Sequence, residues 1–335
     1  MMTVRYFHKG LGMDIPTAAK AMKSVFVSLV LTFAVSPLAI GQTKGNRPSP
    51  NSYRIFDVHM HASTPEFFRK AANANFGAHR KTAKNMVTDS VLLLKKTIEY
   101  MDKNNIRQGL LSGDNDLVQR WVKQFPDRFL PSYDVDYSLT DHTQAAKEFE
   151  KQVEQGKWRA MGELGLPYAG MPLNDPLLFP YYEVCERRGI PVFFHTGLDG
   201  PDPPQLVAPK FKVELGDPLL LQDVVARFPK LKVVIMHMGW PYPDHALYML
   251  YAYPNVYLDT AVVNWILGRS VFDRMLKEAV ETVGSDRILF GSDQMVWPQM
   301  ITPAVRSVST ASYLTSADKR RIFWDNAATL LKLPQ

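Results

Sequence analysis

A single cysteine, Cys185, is all that the 335-residue chain carries, which excludes an intrachain disulfide in any compartment. It lies in the helix-like stretch Tyr181-Tyr-Glu-Val-Cys-Glu-Arg-Arg188 and is expected there as a small buried apolar residue. No low-complexity block interrupts the chain, and 46% hydrophobic with 21% charged residues suits a globular protein with a large core. No Gly-rich phosphate loop follows the first predicted strand, which argues against an open dinucleotide-binding sheet. No basic stripe interleaved with aromatics is present, so nucleic acid is not an expected partner.

Long apolar runs are also scarce, and the one at the N-terminus reads as a targeting segment. Lys20 and Lys23 precede an uncharged run from Ser24 to Ile40, and Ala39-Ile-Gly41 offers small residues at the −3 and −1 positions of a cleavage site. The run is short for a membrane span and Pro37 interrupts it. Residues 1–41 are therefore expected to be a leader with a signal peptide, with Met22 the more natural start and cleavage between Gly41 and Gln42. Export to the periplasm or the exterior follows, with no other membrane association. No cysteine stands at the cleavage site to carry a lipid. Loss of this segment removes four basic residues and one acidic one, so the formal charge falls from +6 to +3. Residues 42–52, rich in turn formers, are expected to be a flexible lead-in.

From residue 53 to 335 the pattern is one domain. Short apolar stretches ending near residues 61, 112, 134, 164, 195, 237, 259 and 293 alternate with helical periodicity at 90–104, 117–125, 143–155, 177–188, 218–228, 243–252 and 271–283. Ser90 is the expected cap of the first of these helices. Two further helices, 302–312 and 316–331, end the chain. Eight strands each followed by a helix predict an α/β fold, a (β/α)8 TIM barrel.

In such a barrel, side chains at the C-terminal strand ends share one mouth. Arg54-Ile-Phe-Asp-Val-His-Met-His61 ends the first strand in two histidines on one face, roughly 7 Å apart by strand rise, which suits joint binding of one divalent ion. Glu163, His195, His237 and Asp293 end four later strands. Any one of them is weak as a signal, since a strand-end histidine is commonly a hydrogen-bonded core residue. Six nitrogen and carboxylate ligands converging on one mouth make a metal site the expectation.

These residues carry a resemblance. Asp57-Val-His-Met-His61, Phe194-His-Thr-Gly197, Met236-His-Met-Gly-Trp-Pro241, Leu289-Phe-Gly-Ser-Asp293 and Asp325-Asn-Ala-Ala-Thr-Leu330 make the chain, over roughly 53–333, similar to the amidohydrolase superfamily. The resemblance is to the amidohydrolase-related branch that includes aminocarboxymuconate-semialdehyde decarboxylase. It implies that His59, His61 and His195 are metal ligands, and that Asp293 is a ligand that also takes the proton of metal-bound water. His237 would bind a second metal or act as base and electrostatic partner. Met161-Gly-Glu-Leu-Gly165 blurs the pattern: Glu163 is either a ligand bridging two ions or a carboxylate that orients the other ligands.

Mixed nitrogen and oxygen ligation suits Zn²⁺, with Mn²⁺ also admitted and one or two ions open. An ion with an open position supplies hydroxide near neutral pH, with Asp293 and His237 as the catalytic pair. The first expectation is a secreted metal-dependent hydrolase of a small amide, ester or lactone. The alternative is a nonoxidative decarboxylase of a small carboxylic acid, aromatic or not, and a third reading is a non-catalytic binding protein. Arg69, Tyr168, Trp240 and Trp265 are the expected substrate-binding residues, within an aromatic-rich set of loops that also includes Phe67, Phe68, Phe76 and the stretch 198–215. The partner is a small-molecule substrate, and a homo-oligomer is left open.

Overall fold

The computed structural model of the protein describes residues 53–63, 85–197 and 208–333, within a compact unit spanning 48–335. The leader, the lead-in, and the loop residues Phe67, Phe68, Arg69 and Phe76 lie outside the described residues, as do 198–207. Eight parallel strands pair in sequence order: β1 (Ile55–Ala62), β2 (Ile106–Gly113), β3 (Phe129–Tyr133), β4 (Ala160–Leu164), β5 (Val192–Phe194), β6 (Val233–Ile235), β7 (Val256–Asp259) and β8 (Ile288–Leu289). The ends of the sheet meet where Val58 N donates to Phe290 O (2.9 Å) and Asp293 N to His59 O (2.8 Å). The result is the expected TIM barrel.

The first three helices after β1, β2 and β3 start where acidic side chains cap them. Asp89 accepts from Leu92 N at 2.7 Å and opens Ser90–Lys103, so the cap is Asp89 rather than Ser90. Asp114 and Asp141 do the same for Asn115–Gln124 and His142–Glu154. Leu93, Leu94, Thr97 and Met101 make the buried face of the first helix. The last expected helix, 316–331, is instead two short α-helical pieces, Ser316–Arg320 and Asn326–Leu330, joined by a π turn over Arg321–Asp325. Among the described residues no helix is long and apolar enough to cross a membrane.

Two apolar clusters divide the interior. The larger lies between strands and helices and contains Ile55, Met60, Met161, Leu164, Phe194 and Ile235. The smaller lies inside the barrel: Phe56, Val58, Leu110, Ala160, Phe193, Val234, Met236 and Leu289 pack against Ala327, Leu330 and Leu331 of the closing helix. That helix plugs the N-terminal end of the barrel and leaves the C-terminal end for chemistry.

Candidate metal centre

The strands do not deliver their polar residues by plain alternation. Phe56 and Val58 of β1 point into the barrel, so strict period 2 would turn His59 outward. Against β2, however, Asp57 faces Gly109 and Met60 faces Leu111, three steps against two, so β1 carries an extra residue. This bulge changes the parity of the strand and turns His59 and His61 to the inside. The same device works on β4, where Met161 pairs with Val192 and Leu164 with Phe194. Gly162 absorbs that irregularity at φ +114°, and a Cβ there would meet Phe193 O at 2.3 Å. The Ser112 hydroxyl fixes the next peptide, donating to Gly162 O (2.9 Å) and accepting from Glu163 N (3.1 Å). His237 and Asp293 are turned by a third route, left-handed backbone at φ 58° and 50°, which is uncommon for such residues and concentrates at functional sites. Only His195 follows Phe193 by simple alternation.

Six side chains meet as a result. Glu163 sits at the middle. Its Oε1 lies 2.5 Å from His195 Nδ1 and 3.2 Å from His237 Nε2, and its Oε2 lies 3.2 Å from His59 Nε2 and 3.1 Å from His61 Nε2. Asp293 Oδ1 is 3.1 Å from His61 Nε2 and 3.7 Å from His59 Nε2. His59, His195, His237 and Asp293 are buried, whereas the side chains of His61 and Glu163 keep 18% and 12% exposure. Two sets of ligand atoms, His59/Glu163/His237 and His59/His61/Asp293, each lie within 4.8 Å of one another and could each hold a metal ion.

The tautomers test whether an ion fits. His59 Nδ1 is 2.9 Å from Asp259 Oδ2, and a carboxylate only accepts, so Nδ1 carries the proton. In neutral His59 the Nε2 lone pair then points at Glu163 Oε2 and at His61 Nε2, 3.1 Å away. His237 repeats this with Nδ1 toward Ala261 O (3.4 Å) and Nε2 inward. Lone pairs facing lone pairs repel unless a cation lies between them. Asp293 Oδ1, on a buried side chain and 3.1 Å from His61 Nε2, adds a carboxylate oxygen to the same set. Protonation is the other way to supply the charge. Burial pushes the His59 and His61 pKa values down, but Asp293 and Glu163 outweigh it, raising His59 well above its ordinary value and His61 to about 9. Burial likewise raises Glu163 and Asp293, yet the charge on His59 and the neighbouring histidines hold both below the usual carboxylate range. The cluster is thus built for positive charge, and its mixed donor set fits a divalent ion.

Several supporting residues were not anticipated. Asp259 at the end of β7 orients two members at once, since its Oδ1 also accepts from His237 N at 2.7 Å. Its position, the C-terminal residue of a strand, was the available signal. Asp57 Oδ1 accepts from His59 N (3.1 Å) and Ser292 N (2.9 Å), and burial pushes its pKa up to about 7. The Gln294 amide clamps the His61 backbone on both sides, at 3.1 and 2.9 Å. Of the expected substrate residues, Tyr168 is beside the cluster, its ring 4.6 Å from that of His195 and 5.4 Å from Phe211. Trp265 Nε1 donates to Ser292 O at 2.7 Å, which braces the Asp293 segment. Trp240 is half-buried against the outer core, its N–H on His237 O. Arg69 lies outside the described residues.

Comparison with known proteins places this architecture in context. A model of the amidohydrolase family matches residues 56–333. The chain is 30% identical to protein fluG of Emericella nidulans over 145 residues, 42% of this chain, although that match spans only 16% of the fungal protein. It is 24% identical to γ-resorcylate decarboxylase of Polaromonas sp. over 260 residues, 65% of this chain and 75% of that one. With 2-amino-3-carboxymuconate-6-semialdehyde decarboxylase of Dictyostelium discoideum it shares 27% identity over 214 residues, 53% of this chain and 54% of the relative. Among solved structures, 2,6-dihydroxybenzoate decarboxylase in complex with 2,6-dihydroxybenzoate aligns over 84% of this chain and all of its own, with a TM-score of 0.59 at 19% identity. A dihydroxybenzoic acid decarboxylase from Polaromonas sp. JS666, with bound manganese and 2-nitroresorcinol, aligns over 84% of this chain and 97% of its own, with a TM-score of 0.58 at 18% identity. These likenesses overturn the expectation of hydrolysis and match its alternative. The physical reason for the error is plain: a metal, a base and strand-end histidines are common to both reactions, so the ligand pattern does not distinguish them. Nor do the likenesses single out zinc, since the ion named in that structure is manganese.

Proposed function

Because the chain belongs to the amidohydrolase family and is an enzyme of that superfamily, we propose that it catalyses the metal-dependent, nonoxidative decarboxylation of a small aromatic carboxylic acid. The observation that carries this reading is the match to γ-resorcylate decarboxylase across three-quarters of that protein's length, and it is supported by two groups of side chains that could hold a metal ion. His59, His61, Glu163, His195 and Asp293 would hold one or two divalent ions, manganese or zinc. When bound, such an ion neutralises the substrate carboxylate and the electron density left on the ring.

This chain's own residues do the rest. Asp259 holds His59 in the tautomer that turns its Nε2 lone pair inward. Asp293, its Oδ1 3.1 Å from His61 Nε2, is the proton carrier. Asp293, whose pKa burial raises but its neighbouring histidines hold low, would take up a proton from solvent and pass it to the ring carbon. The bond between the ring carbon and the carboxylate carbon breaks with its electron pair left on the ring, that proton forms the new C–H bond, CO₂ leaves and the Asp293 carboxylate is regenerated. His237, buried beside Glu163, steadies the charge on the opposite side of the cluster. Tyr168 offers a ring face near His195 against which a planar substrate can lie.

The test is incubation of Mn²⁺-loaded and Zn²⁺-loaded protein with a panel of hydroxylated benzoates in D₂O. One CO₂ per product is expected, with deuterium at the vacated ring position. Absence of CO₂ from every member of the panel would sink the proposal. We also propose export with the mature chain starting at Gln42, which N-terminal sequencing of extracytoplasmic protein checks.

A further inference from the structure

Asp293 stands farther from its strand than any other member of the cluster. His59, His61 and Glu163 lie within β1 and β4, and His195 and His237 follow β5 and β6 by one and two residues. β8 is two residues long, the shortest of the eight strands, and Asp293 lies four residues beyond its end. The backbone between is gripped from two sides. On the β1 side, Val58 N donates to Phe290 O (2.9 Å), Ser292 N to Asp57 Oδ1 (2.9 Å) and Asp293 N to His59 O (2.8 Å). On the other side the ladder with β7 has stopped at Leu289, and two side chains take its place. Asn264 Nδ2 donates to Gly291 O (2.8 Å) and Trp265 Nε1 to Ser292 O (2.7 Å). A carbonyl only accepts, so the nitrogen of the Asn264 amide is the end that faces Gly291.

The two donors are consecutive residues of the short helix Val263–Ile266 and meet two consecutive carbonyls. That helix is itself tied down, because the Ser307 hydroxyl on the helix Ile301–Ser309 donates to Asn264 O. Gly291 permits the close approach, since a Cβ there would meet the Cβ atoms of His59 and Ala261 at 2.7 and 2.9 Å. What the grip holds is a strained residue. Asp293 has left-handed backbone at φ 50°, which a non-glycine residue keeps only where its surroundings over-determine it. Freed of the two donors, the segment can relax toward an ordinary φ and swing the carboxylate away from His61 Nε2. We propose that Asn264 and Trp265 are positioning residues that fix the Asp293 carboxylate within the metal cluster. The inference rests on the reading of Asp293 as a member of that cluster and its proton carrier, and it moves Trp265 from substrate binding to support.

The experiment compares Trp265→Phe, which keeps a ring and loses the donor, and Asn264→Ala with a control at the other end of β8. Asn326→Ala removes a buried amide that likewise donates to two carbonyls, Ser285 O and Ile288 O, each at 2.7 Å. Mn²⁺ titration of the full-length protein reads Asp293 through the His59/His61/Asp293 group and needs no reaction. Affinity should fall about 10-fold or more in both test variants and stay unchanged in the control. With saturating Mn²⁺ and an aromatic acid that the wild type turns over, kcat should fall by up to about 10²-fold while KM holds. A merely structural role predicts that all three variants lose Tm alike and keep wild-type Mn²⁺ affinity and kcat per folded molecule. That result, or wild-type kcat at saturating Mn²⁺, would overturn the inference. A raised KM with kcat intact in Trp265→Phe would return that residue to substrate binding and overturn its assignment here. Asn264→Ser is the second variant should the alanine form not fold. If the wild type turns over no aromatic acid, the proposed reaction fails and the Mn²⁺ affinities decide this inference by themselves.

Discussion

The two ends of the barrel are made of the same strands and obey opposite rules. At the N-terminal end, polar side chains find partners. The Arg54 guanidinium lies 3.4 Å over the Trp324 ring, and Arg159 donates to Leu331 O (2.7 Å). Arg287 Nη1 reaches the carbonyls of Leu250, Tyr253 and Val256, and Asn326 ties Ser285 O to Ile288 O. At the C-terminal end, His195 Nε2 is buried without a partner, and the carboxylates of Glu163 and Asp293 are crowded against histidine nitrogens. Left-handed backbone at His237, Met238, Val262, Asp293 and Met295 crowds the same end. One end pairs these polar groups and so stabilises. The other stores unmet demand that a metal ion and a substrate can meet, which is the usual division of labour in this architecture.

Substitutions at the two ends should therefore fail in different ways. Asp293→Asn keeps three histidines and Glu163 around the ion, so the folded variant should retain metal while turnover falls roughly 10²–10⁴-fold. Phe56→Ala, inside the barrel floor and fully buried, should do the reverse. It should cost about 3–5 kcal/mol of stability with little change in metal content per folded molecule. Denaturant unfolding and kcat measured on the same samples check both. A floor substitution that lost metal before it lost stability would break the comparison.

What could be read from sequence follows the same divide. The barrel was legible because apolar runs and helical periodicity report burial directly, and burial governs the floor. The convergence of the six strand-end candidates was legible because strand ends are fixed by the fold. How they are aimed was not. A period of 2 turns His59 away from the barrel once Phe56 and Val58 face inward, and the bulges in β1 and β4 have no signature beyond Gly162. Asp259 was passed over because its role is toward two histidines, not toward the ion. Hydrolysis was favoured over decarboxylation because a ligand set reports what can be bound, while the bond that breaks is decided by the substrate pocket.

Asp259 sharpens the comparison within the mouth itself. It touches His59 and the His237 backbone and has no place among the candidate ligands. Asp259→Asn can present its amide to His59 Nδ1 instead of accepting from it, which frees the wrong imidazole nitrogen. Metal affinity is expected to fall about 10–100-fold, measured by Mn²⁺ titration, with a smaller change in Tm. Unaltered affinity in a folded variant would remove Asp259 from the site.

The gentlest effect concerns pH. Asp57 is fully buried, and burial lifts its pKa from 3.8 to about 7, against hydrogen bonds from Ser292 and His59 N–H that favour the ionised form. A carboxyl with a raised folded-state pKa holds its proton longer in the native state than in the unfolded one. Between about pH 4 and 7 the native state therefore binds more protons, and this group's contribution to stability is fully present below pH 4 and lost as pH rises to 7. Neighbouring histidines and carboxylates titrate as well, so the useful quantity is the difference between wild type and Asp57→Asn, whose side-chain oxygen can still accept from both amides. In metal-free protein, that variant should gain stability relative to wild type as pH rises through this window, by at most about 1.4 kcal/mol per pH unit, and the gain should level off above pH 7. Denaturant midpoints taken at half-unit intervals from pH 4 to 8 measure it. A difference that is flat across the window would mean that Asp57 is ionised in the native state throughout, and that the mouth meets its charge demand at β1 without help from a proton.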